Sequence, residues 1–469
     1  MKQESKGVDP KEIQCLFDNA EKAAAEFAGY SPAHVKKIVD AVTAAAVEKA
    51  YEYAEWAVRE TGFGVVEHKT LKNYSASSVL VDFHKDQDYC GYQIDHEKKI
   101  VKFARPAGVV LSLIPSTNPI ASTYFSVLSC LMTRNAVIMC PHPSSKECSI
   151  DSSDYLAEVA EQAGAPKGAI QVVRNPSIPL LGEMIKSEQV NLILATGGPA
   201  VVRAAYSSGN PAIGVGPGNV AHYVDETFDL EKVSEDLVVS SSFDNNLPCT
   251  CDSVVLAEKK IAGDLTDALK EMGTYFVEDE AEVERLRNFL FPEGNYNPHA
   301  IGKSAQWIAE QVGIELTEFT LVLCVAIFKI DYKSEEFSRE KLFPVIGFME
   351  IDGFEQAYAA AEAMIQMGGK GHSAAIHSNN PDTIVAWSSL PVYRIAVNGP
   401  SILISTGASS GLAPTFTLGT GFFGRSSVCE NVGPDHLVHW TSIAYNSDMA
   451  LEMGDIDEAL ERWDSKRDD

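Results

Sequence analysis

From Gly108 the chain reads Val109-Val110-Leu111-Ser112-Leu113-Ile114, then Pro115-Ser116-Thr117-Asn118-Pro119, then an uncharged stretch of helix length that closes at Arg134. A further apolar run, Ala136 to Cys140, follows at once. Short continuous apolar runs separated by helix-length segments are the pattern of strands buried on both faces, hence of βαβ units in a mainly parallel sheet. The pattern continues through Ile170 to Val173, Asn191 to Ala195 and Ala212 to Val215. A second series covers Val254 to Ala257, Leu321 to Ala326, Ala374 to His377 and Arg394 to Val397, with helices such as Phe354 to Gln366. The expected class is therefore α/β, in two lobes.

Outward from this core, the first sixty residues read as helices. Asp9-Pro10 is an N-cap with Pro at N1, Ala28-Gly29 a stop, and Ser31-Pro32 the start of a second helix running toward Tyr51. Tyr89 to Ala104 reads as a hairpin, with its turn near Asp95-His96-Glu97. Asp448 to Asp469 reads as an acidic, helix-like tail. The uncharged span from Arg105 to Arg134 is long enough to raise a membrane helix. Pro106, Pro115, Asn118 and Pro119 interrupt it, so a strand, a turn and a buried helix are expected instead.

The 469 residues carry 38 basic and 65 acidic side chains, a formal charge of −27 that disfavours nucleic acid and anionic membrane as partners. Met1 to Asp9 has no apolar core of a secretory signal, and nine cysteines without paired spacing fit a reducing compartment. The cytoplasm is the expected location.

Four segments can carry chemistry. Thr196-Gly197-Gly198-Pro199 joins an apolar run to a helical segment, which fits either a pyrophosphate site at a helix N-terminus or an ordinary tight βα turn. Gly419-Thr420-Gly421-Phe422-Phe423-Gly424 matches G-x-G-x-x-G literally, but the βαβ context is missing and a decoy is expected. Phe243 to Cys251 sets Cys249 in a polar, loop-like segment that permits exposure and thiolate stabilisation, whereas Cys130, Cys140 and Cys324 read as core. The Cys249-x-Cys251 pair lacks a second Cys/His pair at zinc spacing, so no metal is expected. Most histidines, such as His34 and His96, read as surface residues. His372, in a glycine-rich loop, reads as a general acid/base or as a hydrogen-bonded loop residue.

Taken together these segments resemble the CoA-acylating aldehyde dehydrogenases. The motifs that carry the resemblance are Ile114 to Pro119, Arg134-Asn135, Pro141-His142-Pro143, Ala195 to Gly198, Ala204 to Gly209, Gly214 to Asn219, Phe243 to Cys249, Glu340-Lys341-Leu342, Gly371-His372-Ser373, Thr417 to Ser427 and Glu430-Asn431. The family includes the aldehyde dehydrogenase half of bifunctional aldehyde/alcohol dehydrogenase, microcompartment propanal and ethanolamine enzymes, and CoA-dependent succinate semialdehyde dehydrogenase.

The resemblance implies two Rossmann-like lobes and a hairpin arm. Residues 1–88 and 105–217 would form the cofactor lobe, 89–104 the arm that pairs across a homodimer, 218–428 the catalytic lobe and 429–469 the C-terminal segment. It makes Cys249 the nucleophile, with Asn118, or its neighbour Thr117, as the side-chain oxyanion donor and His372 in the catalytic set. Thr196, Gly197 and Gly198 would take the pyrophosphate of NAD or NADP, Glu340 the nicotinamide ribose, and His142 and Pro143 the adenosine. Arg425 would pair with an anionic substrate tail or form a structural ion pair. Coenzyme A is the implied co-substrate and a small aldehyde the substrate. Hydrolytic relatives hold a general-base glutamate where this chain has Gly214, which favours a thiol acceptor. A hydrolytic enzyme and a non-catalytic assembly protein of the same fold are the alternatives.

Overall fold

The computed structural model describes residues 10–447 and 453–467, so the Asp9 cap and the two ends of the acidic tail lie outside the described residues. Tyr92–Asp95 (β1) and Ile100–Pro106 (β2) pair antiparallel, as the hairpin pattern predicts. Val109–Ile114 (β3), Ala136–Pro141 (β4), Ile170–Val172 (β5), Leu192–Thr196 (β6) and Ala212–Val215 (β7) form a five-stranded sheet in the order β5-β4-β3-β6-β7. The pairs β3–β4, β3–β6 and β4–β5 are parallel. Every residue of β3 and β4 is buried, and so is every residue of the helix Pro119–Met132. A helix buried on every side has no place for a charge, which is why the Arg105 to Arg134 span carries none; the polar residues of the helix are hydroxyls only, Ser122, Thr123, Tyr124, Ser126 and Ser129. Among the described residues no helix is long and apolar enough to cross a membrane.

The second sheet has seven strands: Val220–Val224 (β8), Asp252–Glu258 (β9), Thr274–Val277 (β10), Val322–Ala326 (β11), Val345–Ile351 (β12), Ser373–His377 (β13) and Arg394–Val397 (β14). Their order is β10-β11-β12-β9-β8-β13-β14, all parallel. Its core packs Leu256, Leu323, Val325 and Phe343 against helix residues such as Leu286, Ile308 and Trp387.

The chain divides into two units. The first takes the residues up to Tyr53, Lys72–Gly214 and those from Val432 on; the second takes Ala54–Leu71 and Val215–Asn431. Two differences from the expected boundaries follow. Residues 54–71, expected with the cofactor lobe, group with the second unit, and its end lies at Asn431 rather than 428. A third strand joins the hairpin. Val438–Ala444 (β15) pairs antiparallel with β2 over seven residues of the same chain, giving a three-stranded sheet β1-β2-β15.

Candidate active site

In the second unit the candidate residues gather at the amino ends of neighbouring strands. Cys249 precedes β9, Gly218 precedes β8, His372 immediately precedes β13 and Arg394 opens β14, and these four strands are adjacent in that order. His372 Nε2 lies 3.1 Å from Cys249 Sγ, and its Nδ1 lies 2.9 Å from Ser373 Oγ. Gly218 is required where it stands, because a Cβ there would meet the Cys249 carbonyl oxygen at 1.9 Å. From the other side of β9, Glu340, on the loop before β12, accepts the Gly218 N–H at Oε1, 3.1 Å away.

The segment that presents Cys249 is bent by three consecutive left-handed residues, Asp244, Asn245 and Asn246, with φ of 50°, 57° and 60°. Asp and Asn tolerate that conformation best among non-glycine residues, and side-chain bonds fix each one. Asp244 accepts from Val65 N at 2.8 Å and from Lys69 Nζ at 3.0 Å, and its own N–H donates to His68 Nδ1 at 2.8 Å. Asn245 Nδ2 donates to the Gly302 carbonyl and Asn246 Nδ2 to that of Phe343. His68 stacks on Phe243 at 4.7 Å between ring centroids. These bonds explain why residues 54–71 belong to the second unit.

Burial sets the charge states. It pushes the Cys249 thiol up to about 12, with the Glu340 carboxylate adding to the rise and Arg394 opposing it. Burial, aided by Arg394, pushes His372 down to about 3. The resting pair is thus a thiol beside a neutral imidazole. Desolvation also raises Glu340 to about 8 and lowers Lys341 to about 7. Lys341 Nζ is spent on the Phe337 and Arg339 carbonyls, both at 2.7 Å.

In the first unit the candidates lie at the carboxyl ends of β3, β4 and β6. The order β5-β4-β3-β6-β7 reverses direction between β3 and β6, the switch point where doubly wound sheets hold ligands. Beside it stand Thr117 and Asn118 after β3 and Thr196-Gly197-Gly198 after β6, which opens the helix Pro199–Tyr206 with Pro at N1. Gly198 caps that helix without a side chain, and a Cβ on it would meet nothing within 4 Å, so the backbone there is open. His142 and Pro143 follow β4; His142 is exposed, with Nδ1 2.8 Å from Ser144 Oγ. Asn118 Oδ1 accepts from the buried Lys72 at 2.5 Å, which fixes its amide orientation.

The profile of the aldehyde dehydrogenase family matches residues 4–282. The acetylating succinate-semialdehyde dehydrogenase of Clostridium kluyveri is 35% identical over 435 residues, covering 92% of this chain and 95% of that one. The chain belongs to the aldehyde dehydrogenase family. The crystal structure of an acetylating aldehyde dehydrogenase from Geobacillus thermoglucosidasius superposes with a TM-score of 0.91 at 34% identity, covering 94% of this chain and 98% of that one. The Rhodopseudomonas palustris propionaldehyde dehydrogenase with bound CoA and an acylated cysteine gives 0.83 at 25% identity, covering 92% and 97%. This chain spans about half the length of the curated aldehyde-alcohol dehydrogenases it matches.

Within this family member the remaining candidates separate. Gly419 to Gly424 has neither a strand before it nor a helix after it, in keeping with a decoy, and packs on the His372 loop. Cys251 is buried against Phe243 and Ile402, and no metal-binding cluster is found among the described residues. Arg425 is exposed and forms no ion pair among the described residues, so the structural ion-pair alternative finds no partner. His34 and His96 are exposed, but His84, His222 and His377 are buried, against the surface reading. Lys72, Lys69 and Arg394 escaped the sequence reading, since a lone basic residue on a helix or at a strand start carries no local signature.

Proposed function

We propose that this chain oxidises a short-chain aldehyde or semialdehyde with NAD(P)+ and CoA, giving acyl-CoA, NAD(P)H and a proton, and that the reaction runs reversibly. The oxidoreductase class is that of its family. The choice of thiol over water as acyl acceptor rests on Gly214. A Cβ there would come within 2.7 Å of both Tyr206 Cε2 and Val202 Cγ1, and the Gly214 N–H donates to the Tyr206 oxygen at 2.9 Å. The position that matches the hydrolytic general base has no side chain, and its space is filled. The acylated cysteine and CoA of the R. palustris relative support the same reading.

The open, side-chain-free turn at Gly197-Gly198 before the helix fits a dinucleotide pyrophosphate. The bound nicotinamide supplies the hydride acceptor. Cys249 supplies the electron pair that bonds the aldehyde carbon, and the carbonyl electrons move onto oxygen. The Asn118 amide, oriented by Lys72, and the Cys249 N–H are the donors we assign to that oxyanion. After oxidation the acyl group is a thioester on Cys249. The CoA sulfur then bonds the acyl carbon, the Cys249 sulfur leaves with its electron pair, and the CoA thiol proton passes to that sulfur, relayed at His372 Nε2, which lies 3.1 Å from Sγ. Glu340 and His142-Pro143 are proposed ribose and adenosine contacts, and Arg425 a contact for an anionic substrate tail. A cytoplasmic homodimer or larger homo-oligomer is proposed; the nine cysteines, all free thiols, support the reducing compartment alone.

Stopped-flow mixing of enzyme, aldehyde and oxidised cofactor tests the reading. We expect about one NAD(P)H per active Cys249, then a stall until CoA is added, because unassisted water attacks the thioester slowly. Steady turnover that CoA does not accelerate would favour hydrolysis, and no burst with any aldehyde would favour the assembly protein.

A further inference from the structure

Arg394 is 4% exposed and has no carboxylate within ion-pair distance among the described residues. Its guanidinium is held by oxygens only. Nη1 donates to the Cys429 carbonyl at 2.9 Å and contacts Asn431 Oδ1 at 3.4 Å; Nη2 donates to the carbonyls of Gly371 at 3.3 Å and Gly419 at 2.5 Å. Nε has no partner at all. A buried cation without a counter-ion is costly, and such charges are normally paired.

Its surroundings indicate what that charge serves. Gly371, whose carbonyl it holds, is the residue before His372, and His372 Nε2 is 3.1 Å from Cys249 Sγ. Gly371 takes φ of 76°, and a Cβ there would meet the Thr420 oxygen at 1.8 Å, so the loop and the Gly419 segment interlock where Arg394 bridges them. Electrostatically Cys249 feels Glu340 and Arg394, and it is hydrogen-bonded to His372; Arg394 feels Cys249, Cys429 and, from beyond ion-pair distance, the Glu430 carboxylate.

We propose that Arg394 is the positioning residue of the Cys249–His372 pair: it clamps the loop that carries His372 and holds the buried positive charge that the Cys249 thiolate balances when it forms. The literal G-x-G-x-x-G segment thereby gains a part, since the Gly419 carbonyl is one jaw of the clamp. The inference rests on Cys249 being the nucleophile. Burial pushes the Arg394 guanidinium down to about 10, and the interaction with Cys249 opposes that fall.

The test needs no substrate, so its failure is separable from failure of the proposed reaction. Iodoacetamide alkylation of Cys249 is followed against pH by peptide mass spectrometry in the wild type, Arg394→Gln and Arg394→Lys, with exposed Cys15 as internal reference. We expect Arg394→Gln to raise the apparent thiol pKa by about one unit, a roughly tenfold slower reaction at fixed pH, with Cys15 unchanged. Arg394→Lys keeps the charge and should lie within about threefold of wild type by the same scale. A wild-type profile in Arg394→Gln, or equal slowing in both variants, would overturn the proposal. If Arg394→Gln is not folded by circular dichroism, Asn431→Ala, which removes one acceptor but keeps the charge, must leave the Cys249 pKa near wild type; a rise as large as one unit would overturn the charge role.

Discussion

Two positions separate Cys249 from Cys251, yet their surroundings differ in kind. Cys249 retains partial exposure and faces His372, whereas Cys251 is 4% exposed in an apolar cluster. Cys249→Ala should abolish hydride transfer while the affinity for NAD(P)H, read by fluorescence titration, stays within a factor of about two; Cys251→Ala should stay active. Equal loss in both would point to a shared role of the pair. The choice between Thr117 and Asn118 turns on Lys72. With Asn118 Oδ1 accepting from Lys72 Nζ, Nδ2 is the donor side of the amide; it makes a long contact to Thr117 Oγ1 at 3.4 Å and has a second proton to offer an oxyanion. We expect Asn118→Ala to lower kcat by about 10²-fold or more, and Lys72→Met to lower it by about tenfold with an unchanged aldehyde KM. A larger loss in Thr117→Ala than in Asn118→Ala would shift the donor by one residue. The candidacy of Cys249 was legible because a polar loop surrounds it. The orienting bond from Lys72 was not, because it joins residues 46 positions apart.

At the scale of elements, β3 and β4 read easily because their runs are apolar throughout, while β8 did not. Its sequence Val220-Ala221-His222-Tyr223-Val224 is broken by a histidine that the fold nevertheless buries completely. That burial is tolerable because His222 Nδ1 meets Asp252 Oδ1 at 2.9 Å, its Nε2 meets His377 Nδ1 at 2.6 Å, and His377 Nε2 meets Asp236 Oδ2 at 3.1 Å. A polar chain across four elements, β8, β9, β13 and the helix Leu230–Ser242, leaves no periodicity in any one of them. The nucleophile segment poses the same difficulty: Asp244 and Asn246 read as loop polarity, but both are buried, and the Lys69–Asp244 pair is 4% and 0% exposed at its side chains. Removing one partner from such a pair leaves an uncompensated charge, at a cost of about 3–5 kcal/mol. Asp244→Ala should therefore lower the denaturant midpoint substantially and shrink the NAD(P)H burst per mole of protein, because the left-handed run that aims Cys249 loses its anchor. A variant with wild-type midpoint and burst would show that the run holds its shape unaided.

For the molecule as a whole, the α/β class and the two-unit division were legible from repeated strand and helix spacing, but the membership of residues 54–71 was not, since the bonds from Asp244 to Val65 and Lys69 decide it. The charge of −27 was legible at once and has a kinetic consequence. CoA and NADP are polyanions, and a neutral aldehyde is not. Long-range repulsion should slow the encounter of this protein with the former and leave the latter untouched, and salt shortens the reach of that repulsion from about 30 Å at 0.01 M to about 10 Å at 0.1 M. Raising ionic strength across that range should thus increase kcat/KM for CoA, with kcat/KM for propanal nearly flat. An anionic semialdehyde should resemble CoA in sign. If Arg425 attracts its tail at short range, Arg425→Ala should raise KM for succinate semialdehyde much more than for propanal while leaving the salt trend for CoA in place. A fall in kcat/KM for CoA with salt would mean that a local cationic site outweighs the net charge of −27.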